Sequence, residues 1–87
     1  MKTGIVTVRN KEGLHLRKAA EIVRCAQRFE SKVTLCNQCT HADACSIMQL
    51  LLLGAGQHTQ LDVIAHGPDE KEAVNSIIEL FEDGGGI

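Results

Sequence analysis

The sequence predicts a two-layer α/β sandwich in which three helices cover one face of a four-stranded antiparallel sheet. Four short stretches have the alternation or the β-branched residues typical of strands, and three others have helical periodicity. These stretches follow one another in the order βαββαβα. With 87 residues, 44% of them hydrophobic, the chain has room for one small domain, expected to span residues 1–87. The core must be aliphatic, because only two residues are aromatic.

The first strand and the first helix are predicted from residues 2–9 and from residue 16 to about residue 28. Ile5, Val6 and Val8 stand among threonines, a composition typical of a strand with one buried face. The polar stretch 10–13 ends this strand. Apolar residues then recur at helical spacing, so a helix is expected to begin directly after His15.

A hairpin and a short helix are predicted next. Residues 32–36 form a second strand, Asn37 and Gln38 turn the chain, and residues 39–43 return as a third strand. Ser46 can cap a helix of about two turns. That helix is expected to end at Gly54, because glycine readily adopts the left-handed conformation of a helix stop.

The last strand is predicted at residues 61–66, where apolar residues alternate with others until a Gly-Pro pair. The final helix has the clearest signals: Asp69 as its cap, acidic residues after the cap, and an apolar stripe. The residues of that stripe are Ala73, Ile77, Leu80 and Phe81. The glycine-rich tail, residues 84–87, is expected to be flexible.

The junction before the first helix carries the residues best suited to chemistry. The first N–H groups of a helix lack internal partners, and the macrodipole leaves partial positive charge there, beside His15. Arg17 adds a guanidinium suited to phosphate oxygens. A nucleophilic imidazole in this setting could hold a phosphoryl group. The alternative, from the residues alone, is an ordinary histidine in a helix cap or turn.

Three motifs stand in register along the chain. They are Gly13-Leu14-His15-x-Arg17 with Ala19-Ala20, Ser46-Ile47-Met48 with Leu50, Leu53 and Gly54, and Gly67-x-Asp69-Glu70 before Ala73. Together they resemble the histidine-containing phosphocarrier protein (HPr) family of the bacterial phosphotransferase system. The resemblance implies the order of the strands in the sheet. It also implies that His15 is phosphorylated by enzyme I, itself charged from phosphoenolpyruvate, and passes the phosphoryl group to enzyme II A domains in sugar uptake.

Such a protein is a phosphoryl carrier rather than a stand-alone enzyme, and its phosphohistidine needs no further cofactor. Two positions depart from the family pattern: Lys18 replaces the usual proline, and Glu12 replaces a small polar residue. We expect Lys18 to loosen the helix start. We also expect the Lys18 charge and the helix start at Leu16 to support, together with Arg17, the phosphate on His15. Glu12 is expected to favour the imidazolium form of His15 and to repel phosphate.

Ser46 is expected both to cap its helix and, by resemblance to the motif read by HPr kinase/phosphorylase, to be a regulatory phosphorylation site. The four leucines at residues 50–53 cannot all face inward. Ile47, Met48 and Leu51 are therefore expected to form an exposed patch that binds partner proteins, the alternative being a loosely buried helix. The alternative function is a regulatory binding module that engages a kinase or a transcriptional regulator through Ser46 and this patch.

Cysteines are the remaining candidate ligands. Cys36, Cys39, His41 and Cys45 have side chains that can bind zinc, but their spacing is not an established zinc motif. Unligated thiols are expected, with zinc and a Cys36–Cys39 disulfide as alternatives. His58, in a loop, and His66, in the last strand, are both expected to face solvent.

Charge and composition exclude several classes of partner. The net charge of −2 gives no general attraction to nucleic acid, and aromatic stacking platforms are lacking. The longest apolar run, residues 50–53, is far too short to span a bilayer. No signal-peptide pattern opens the chain, so a cytoplasmic protein is expected.

Overall fold

A computed structural model describes residues 1–82 and contains four strands and three helices in the predicted order. They are β1 (Lys2–Thr7), α1 (Leu16–Ala26), β2 (Lys32–Asn37), β3 (Thr40–Asp43), α2 (Ile47–Leu52), β4 (Gln60–His66) and α3 (Glu70–Glu82). The tail predicted to be flexible, residues 84–87, lies outside the described residues.

The strands form one sheet in the order β1-β4-β2-β3, and every neighbouring pair is antiparallel. In the middle of the sheet, Val63 of β4 lies opposite Gly4 of β1 and opposite Leu35 of β2. Among the strands of residues 1–82, only β2 and β3 are joined as a hairpin, so the other pairings depend on the helical connections. This arrangement confirms the predicted fold class.

One face of the sheet and one face of each helix make the core. Leu35 and Val63 are fully buried, and so are Ile22 of α1, Leu50 of α2 and Ile77 of α3. The opposite face of the sheet carries no helix within residues 1–82, and side chains there reach solvent. Burying this aliphatic surface is the main favourable contribution to folding, as the composition predicts.

The turn of the β2–β3 hairpin lies one residue later than predicted. Asn37 pairs with Thr40, so Gln38 and Cys39 form the turn, and Gln38 has a positive φ of 57°. The Asn37 side chain donates a hydrogen bond to the carbonyl oxygen of Leu53 at 2.9 Å. This long-range contact holds Asn37 in the strand and moves the turn along the chain.

Asp69 does not cap α3 with its side chain as predicted. Its backbone carbonyl accepts the first helical hydrogen bond, from Ala73 at 3.0 Å. Its carboxylate instead accepts hydrogen bonds from the N–H of Glu30 at 3.0 Å and from the N–H and hydroxyl of Ser31 at 2.9 and 2.5 Å. The Ser31 hydroxyl, followed by the Glu30 amide, lowers the pKa of Asp69. Asp69 therefore ties the α1–β2 connection to the start of α3.

Candidate functional site

The loop that precedes α1 is fixed by hydrogen bonds and by one glycine. The Asn10 side chain donates to the Gly13 carbonyl at 2.7 Å, and the Leu14 amide donates to the Ala55 carbonyl at 2.9 Å. Gly13 has a φ of +74°, and a Cβ there would lie 2.6 Å from the Ala55 oxygen. Only glycine fits this position without strain. The next residue after this fixed loop segment is His15, which is therefore held in place.

His15 occupies the N-cap position of α1 in an extended conformation, with φ −102° and ψ 178°. Its carbonyl oxygen accepts the first helical hydrogen bond, from Ala19 at 2.9 Å, whereas its side chain makes no capping bond. The amides of Leu16 and Arg17 precede that first bond. The first turn of α1 contains no acidic residue to offset the macrodipole. The helix start is therefore electrostatically open to an anion.

The two nitrogens of the His15 ring are in different environments. The side chain is 28% exposed, yet Nε2 is buried and has no hydrogen-bond partner among residues 1–82. The Glu12 carboxylate lies 3.6 Å from Nε2, beyond normal hydrogen-bond length. Nδ1 is neither buried in this way nor hydrogen-bonded within the described range, so it is the nitrogen open to solvent.

Arg17 lies two residues after His15, in the first turn of α1, and is exposed. Its guanidinium forms no ion pair or hydrogen bond to any other part of the chain that the structure describes. An uncommitted guanidinium can bind two phosphate oxygens at once. The structure thus leaves Arg17 available as a phosphate ligand at the same helix start as His15.

The structure contradicts the expected place of the Lys18 charge. The Lys18 side chain is only 6% exposed, and Nζ donates a hydrogen bond to the carbonyl oxygen of Leu80 at 2.8 Å. It also lies 5.6 Å from the centroid of the Phe81 ring and 3.8 Å from the Glu21 carboxylate. The ammonium group is therefore engaged by the last turns of α3. These contacts tie the first turn of α1 to α3, and the expected loosening of the helix start by loss of the proline stays a prediction.

Ser46 is the N-cap of α2, as predicted. Its backbone is extended, and its hydroxyl accepts a hydrogen bond from the Gln49 amide at 3.2 Å. The Gln49 side chain in turn accepts a hydrogen bond from the Asp43 amide at 2.8 Å. This second helix start is thus closed by its own side chains.

The exposed residues of α2 differ in part from the predicted patch. Met48 and Leu52 are 69% and 72% exposed, and Leu51 is 38% exposed, whereas Leu50 is fully buried. Ile47 is half-buried and packs against the core. Met48, Leu51 and Leu52 therefore form the apolar surface of α2. Leu52 is not among the predicted residues, although its spacing of four from Met48 places it on the same side of a helix.

The cysteines and the other histidines form no metal centre in the described range. All four cysteines are free thiols: Cys25 and Cys36 are buried, whereas Cys39 and Cys45 are exposed. Within residues 1–82, no three His, Cys, Asp or Glu side chains are grouped so that they could hold a metal ion. His58 and His66 are exposed. None of the helices in this range is long and apolar enough to cross a bilayer.

Comparison with known proteins finds a family model and relatives that match nearly the whole chain. The family model for the PTS HPr component phosphorylation site matches residues 2–83. The phosphocarrier protein HPr of Treponema pallidum is 40% identical over 78 residues, which are 90% of this chain and 89% of that protein. The phosphocarrier protein NPr of Proteus mirabilis is 40% identical over 80 residues, which are 91% and 89% of the two chains.

Solved structures agree with these matches. The crystal structure of HPr-C-His from Thermoanaerobacter tengcongensis is 34% identical in sequence and superposes with a TM-score of 0.93. The match covers 100% of this chain and 98% of that one. The similarity therefore extends over the sheet, all three helices and the loop before α1.

Proposed function

The chain belongs to the HPr family of phosphocarrier proteins, and we propose that it carries its phosphoryl group on His15. The relatives support a phosphocarrier role in the phosphotransferase system. The observation that supports His15 as the carrier is its setting: a solvent-accessible Nδ1 at an uncapped helix start, with the unpaired guanidinium of Arg17 in the first turn.

The proposed transfer is an in-line displacement between two proteins. The lone pair of Nδ1 forms a bond to phosphorus while the bond between phosphorus and the donor's histidine breaks, and Nε2 of His15 keeps its proton. Negative charge on the phosphoryl oxygens meets the amides of Leu16 and Arg17, the positive end of the α1 dipole, and the Arg17 guanidinium. Return of the group to an acceptor is the same step reversed. Leu16 thus supports the phosphate through its backbone.

Carriers of this system have enzyme I and enzyme II components as partners. We propose that enzyme I, charged from phosphoenolpyruvate, is the donor in the cytoplasm and that enzyme II A domains of sugar uptake are the acceptors. The apolar surface of α2, with Ile47 at its half-buried border, is the proposed contact with both. Methionine suits such a surface, because its flexible side chain adapts to different partners.

We also propose that Ser46 is a regulatory site for ATP-dependent phosphorylation by HPr kinase/phosphorylase, and that a transcriptional regulator reads the modified protein. A phosphate at the start of α2 adds about two negative charges. It sits at the positive end of a helix dipole, so the fold tolerates it. The added charge changes the surface next to Met48 and should weaken binding to an acidic partner.

The relatives favour the carrier over a module that only binds regulators, since those compared above are named phosphocarrier proteins. Proteins named HPr and NPr match this chain at the same 40% identity. A transfer assay with different acceptor domains therefore decides which enzyme II component accepts the phosphoryl group.

Phosphorylation by enzyme I tests the proposal for His15. The protein is incubated with enzyme I and labelled phosphoenolpyruvate, and the label is examined for acid lability and located by mass spectrometry. We expect acid-labile phosphate on His15 and none in the His15→Ala variant, whose fold is checked by circular dichroism. A His58→Ala variant serves as the matched control. Full labelling of His15→Ala, or no labelling of the wild type by an active enzyme I, would contradict the proposal.

A further inference from the structure

The ring nitrogen Nε2 of His15 is buried and lacks a hydrogen bond within the described residues. Among residues 1–82, Nε2 is the single buried side-chain nitrogen or oxygen atom without a hydrogen-bond partner. A buried polar atom left in this state costs free energy, and such atoms are rare in folded proteins. One carboxylate lies within reach, that of Glu12, whose Oε1 is 3.6 Å from Nε2.

The exposure of the Glu12 side chain makes a shorter contact accessible. Its side chain is 79% exposed, and none of its other contacts within the described residues holds it in place. A side-chain rotation that shortens the 3.6 Å separation would bring Oε1 into the range of roughly 2.7–3.2 Å that is typical of N–H···O hydrogen bonds. Gly13, which follows it, fixes the backbone of the loop, so Glu12 stays on the Nε2 side of the ring.

We propose that Glu12 is a positioning residue for phosphoryl transfer: it accepts a hydrogen bond from Nε2–H of His15 and so keeps the lone pair on Nδ1. This inference depends on the proposed function of His15. A neutral imidazole has one N–H and one lone pair, and a hydrogen bond at one nitrogen determines which nitrogen carries the proton. If Nε2 carries it, Nδ1 is the nucleophile.

The same carboxylate stabilises the ring during transfer. As Nδ1 bonds to phosphorus, its lone pair is shared and the ring gains positive charge, while Nε2 keeps its proton. Glu12 lies beside Nε2, across the ring from the nitrogen that holds the phosphoryl group. It is therefore closer to the developing positive charge than to the phosphoryl oxygens, and attraction exceeds repulsion because Coulomb energy falls with distance. This reverses the expectation that Glu12 mainly repels the phosphate.

The other charged groups near this helix start do not take over the role. Arg17 is a donor and cannot accept a hydrogen bond from Nε2–H. The Lys18 ammonium donates its hydrogen bond to the Leu80 carbonyl and, like Arg17, cannot accept one. The Glu21 carboxylate lies beside the Lys18 ammonium, at 3.8 Å. Glu12 is thus the acceptor that the structure assigns to Nε2.

The tautomer of His15 tests the proposal without any transfer partner. Nitrogen-15 NMR of the ring is recorded at about pH 9, where an ordinary histidine is neutral. We expect the wild type to hold the proton on Nε2, and we expect Glu12→Ala to shift the tautomer ratio toward Nδ1–H. Glu79→Ala, which removes an exposed carboxylate from α3, is the matched control. An unchanged ratio in Glu12→Ala overturns the proposal.

Transfer kinetics give the second readout. In steady-state phosphorylation by enzyme I, Glu12→Ala should lower kcat about three- to tenfold and leave KM unchanged. A buried carboxylate in this role would have a larger effect, because solvent screens the charge of the exposed Glu12. A raised KM with unchanged kcat would assign Glu12 to partner binding and overturn the proposal. If the wild type itself accepts no phosphoryl group, the function proposed for His15 fails, whereas the tautomer measurement still decides the role of Glu12.

Discussion

The starts of α1 and α2 share a backbone conformation but differ in side-chain capping. Each helix begins after a polar residue in an extended N-cap conformation, His15 in one case and Ser46 in the other. The Ser46 hydroxyl caps its helix by accepting a hydrogen bond from the Gln49 amide, whereas the His15 side chain makes no capping hydrogen bond. The start of α2 is thus closed by its own cap, whereas the start of α1 leaves its first amides available for the anion that we propose it binds.

An open helix start must be held by something other than a cap. In α1 that support comes from Lys18, whose ammonium binds the Leu80 carbonyl in α3. The last turn of α3 has no basic residue of its own within the described range, so Lys18 also complements the negative end of that helix. The first turn of α1 thus keeps its amides available because its anchor lies on another helix.

Arg17→Met should produce the largest difference between the two helix starts. The variant removes the guanidinium that we propose binds the phosphoryl oxygens, and we expect the rate of phosphorylation by enzyme I to fall about 10²-fold, as when one transition-state donor is lost. Rapid-quench kinetics measure the rate. Arg24→Met, on the same helix and also exposed, is the control and should change the rate less than about threefold. Equal losses in both variants would indicate a general charge effect.

Lys18→Met should reveal the anchor of α1. Methionine keeps the apolar stem but leaves the Leu80 carbonyl without its charged donor, so we expect the free energy of unfolding to fall by about 2 kcal/mol. Urea denaturation followed by circular dichroism measures it. Lys71→Met, at an exposed position of α3, should change it by less than about 0.5 kcal/mol. Stability unchanged in Lys18→Met would show that α1 is held in another way.

Ser46→Ala and His15→Ala form a matched pair for the two caps. Loss of the Ser46 hydroxyl removes the acceptor for the Gln49 amide, and we expect a destabilisation of about 1 kcal/mol. His15→Ala removes no capping bond and should change stability by about 0.5 kcal/mol or less. Thermal and urea unfolding of both variants test the pair. The comparison fails if His15→Ala is the more destabilising of the two.

Asp69, at the start of α3, is expected to have a smaller effect on the stability of the fold, and this effect depends on pH. Hydrogen bonds from Ser31 and Glu30 lower the pKa of Asp69 in the folded protein. Its contribution is therefore fully present above the ordinary carboxyl pKa of about 4 and is lost as the pH falls through the lowered value. Asp69→Asn should be less stable than the wild type at neutral pH, and the two should converge in acid. Urea midpoints across the pH range measure this, and parallel curves would contradict the assignment.

The comparison also shows which features a sequence can predict. The helix starts at His15 and Ser46 follow from local signals, since a polar N-cap residue and the apolar periodicity after it lie within a few residues. The partners of Lys18 and Asp69 lie 62 and 38 residues away, so only the folded chain brings them together. For the same reason, the sequence predicted that Lys18 supports a phosphate, whereas in the structure its ammonium group binds the Leu80 carbonyl of α3.

The backbone amides of α1 provide the most direct test of the central claim that a phosphoryl group on His15 is held at an open helix start. Nitrogen–proton correlation spectra are recorded before and after phosphorylation by enzyme I. We expect large downfield proton shifts for the Leu16 and Arg17 amides, because they become hydrogen-bond donors to the phosphoryl oxygens, and little change for Gln49, which is already bonded to Ser46. Phosphohistidine with unmoved Leu16 and Arg17 amides would contradict the account.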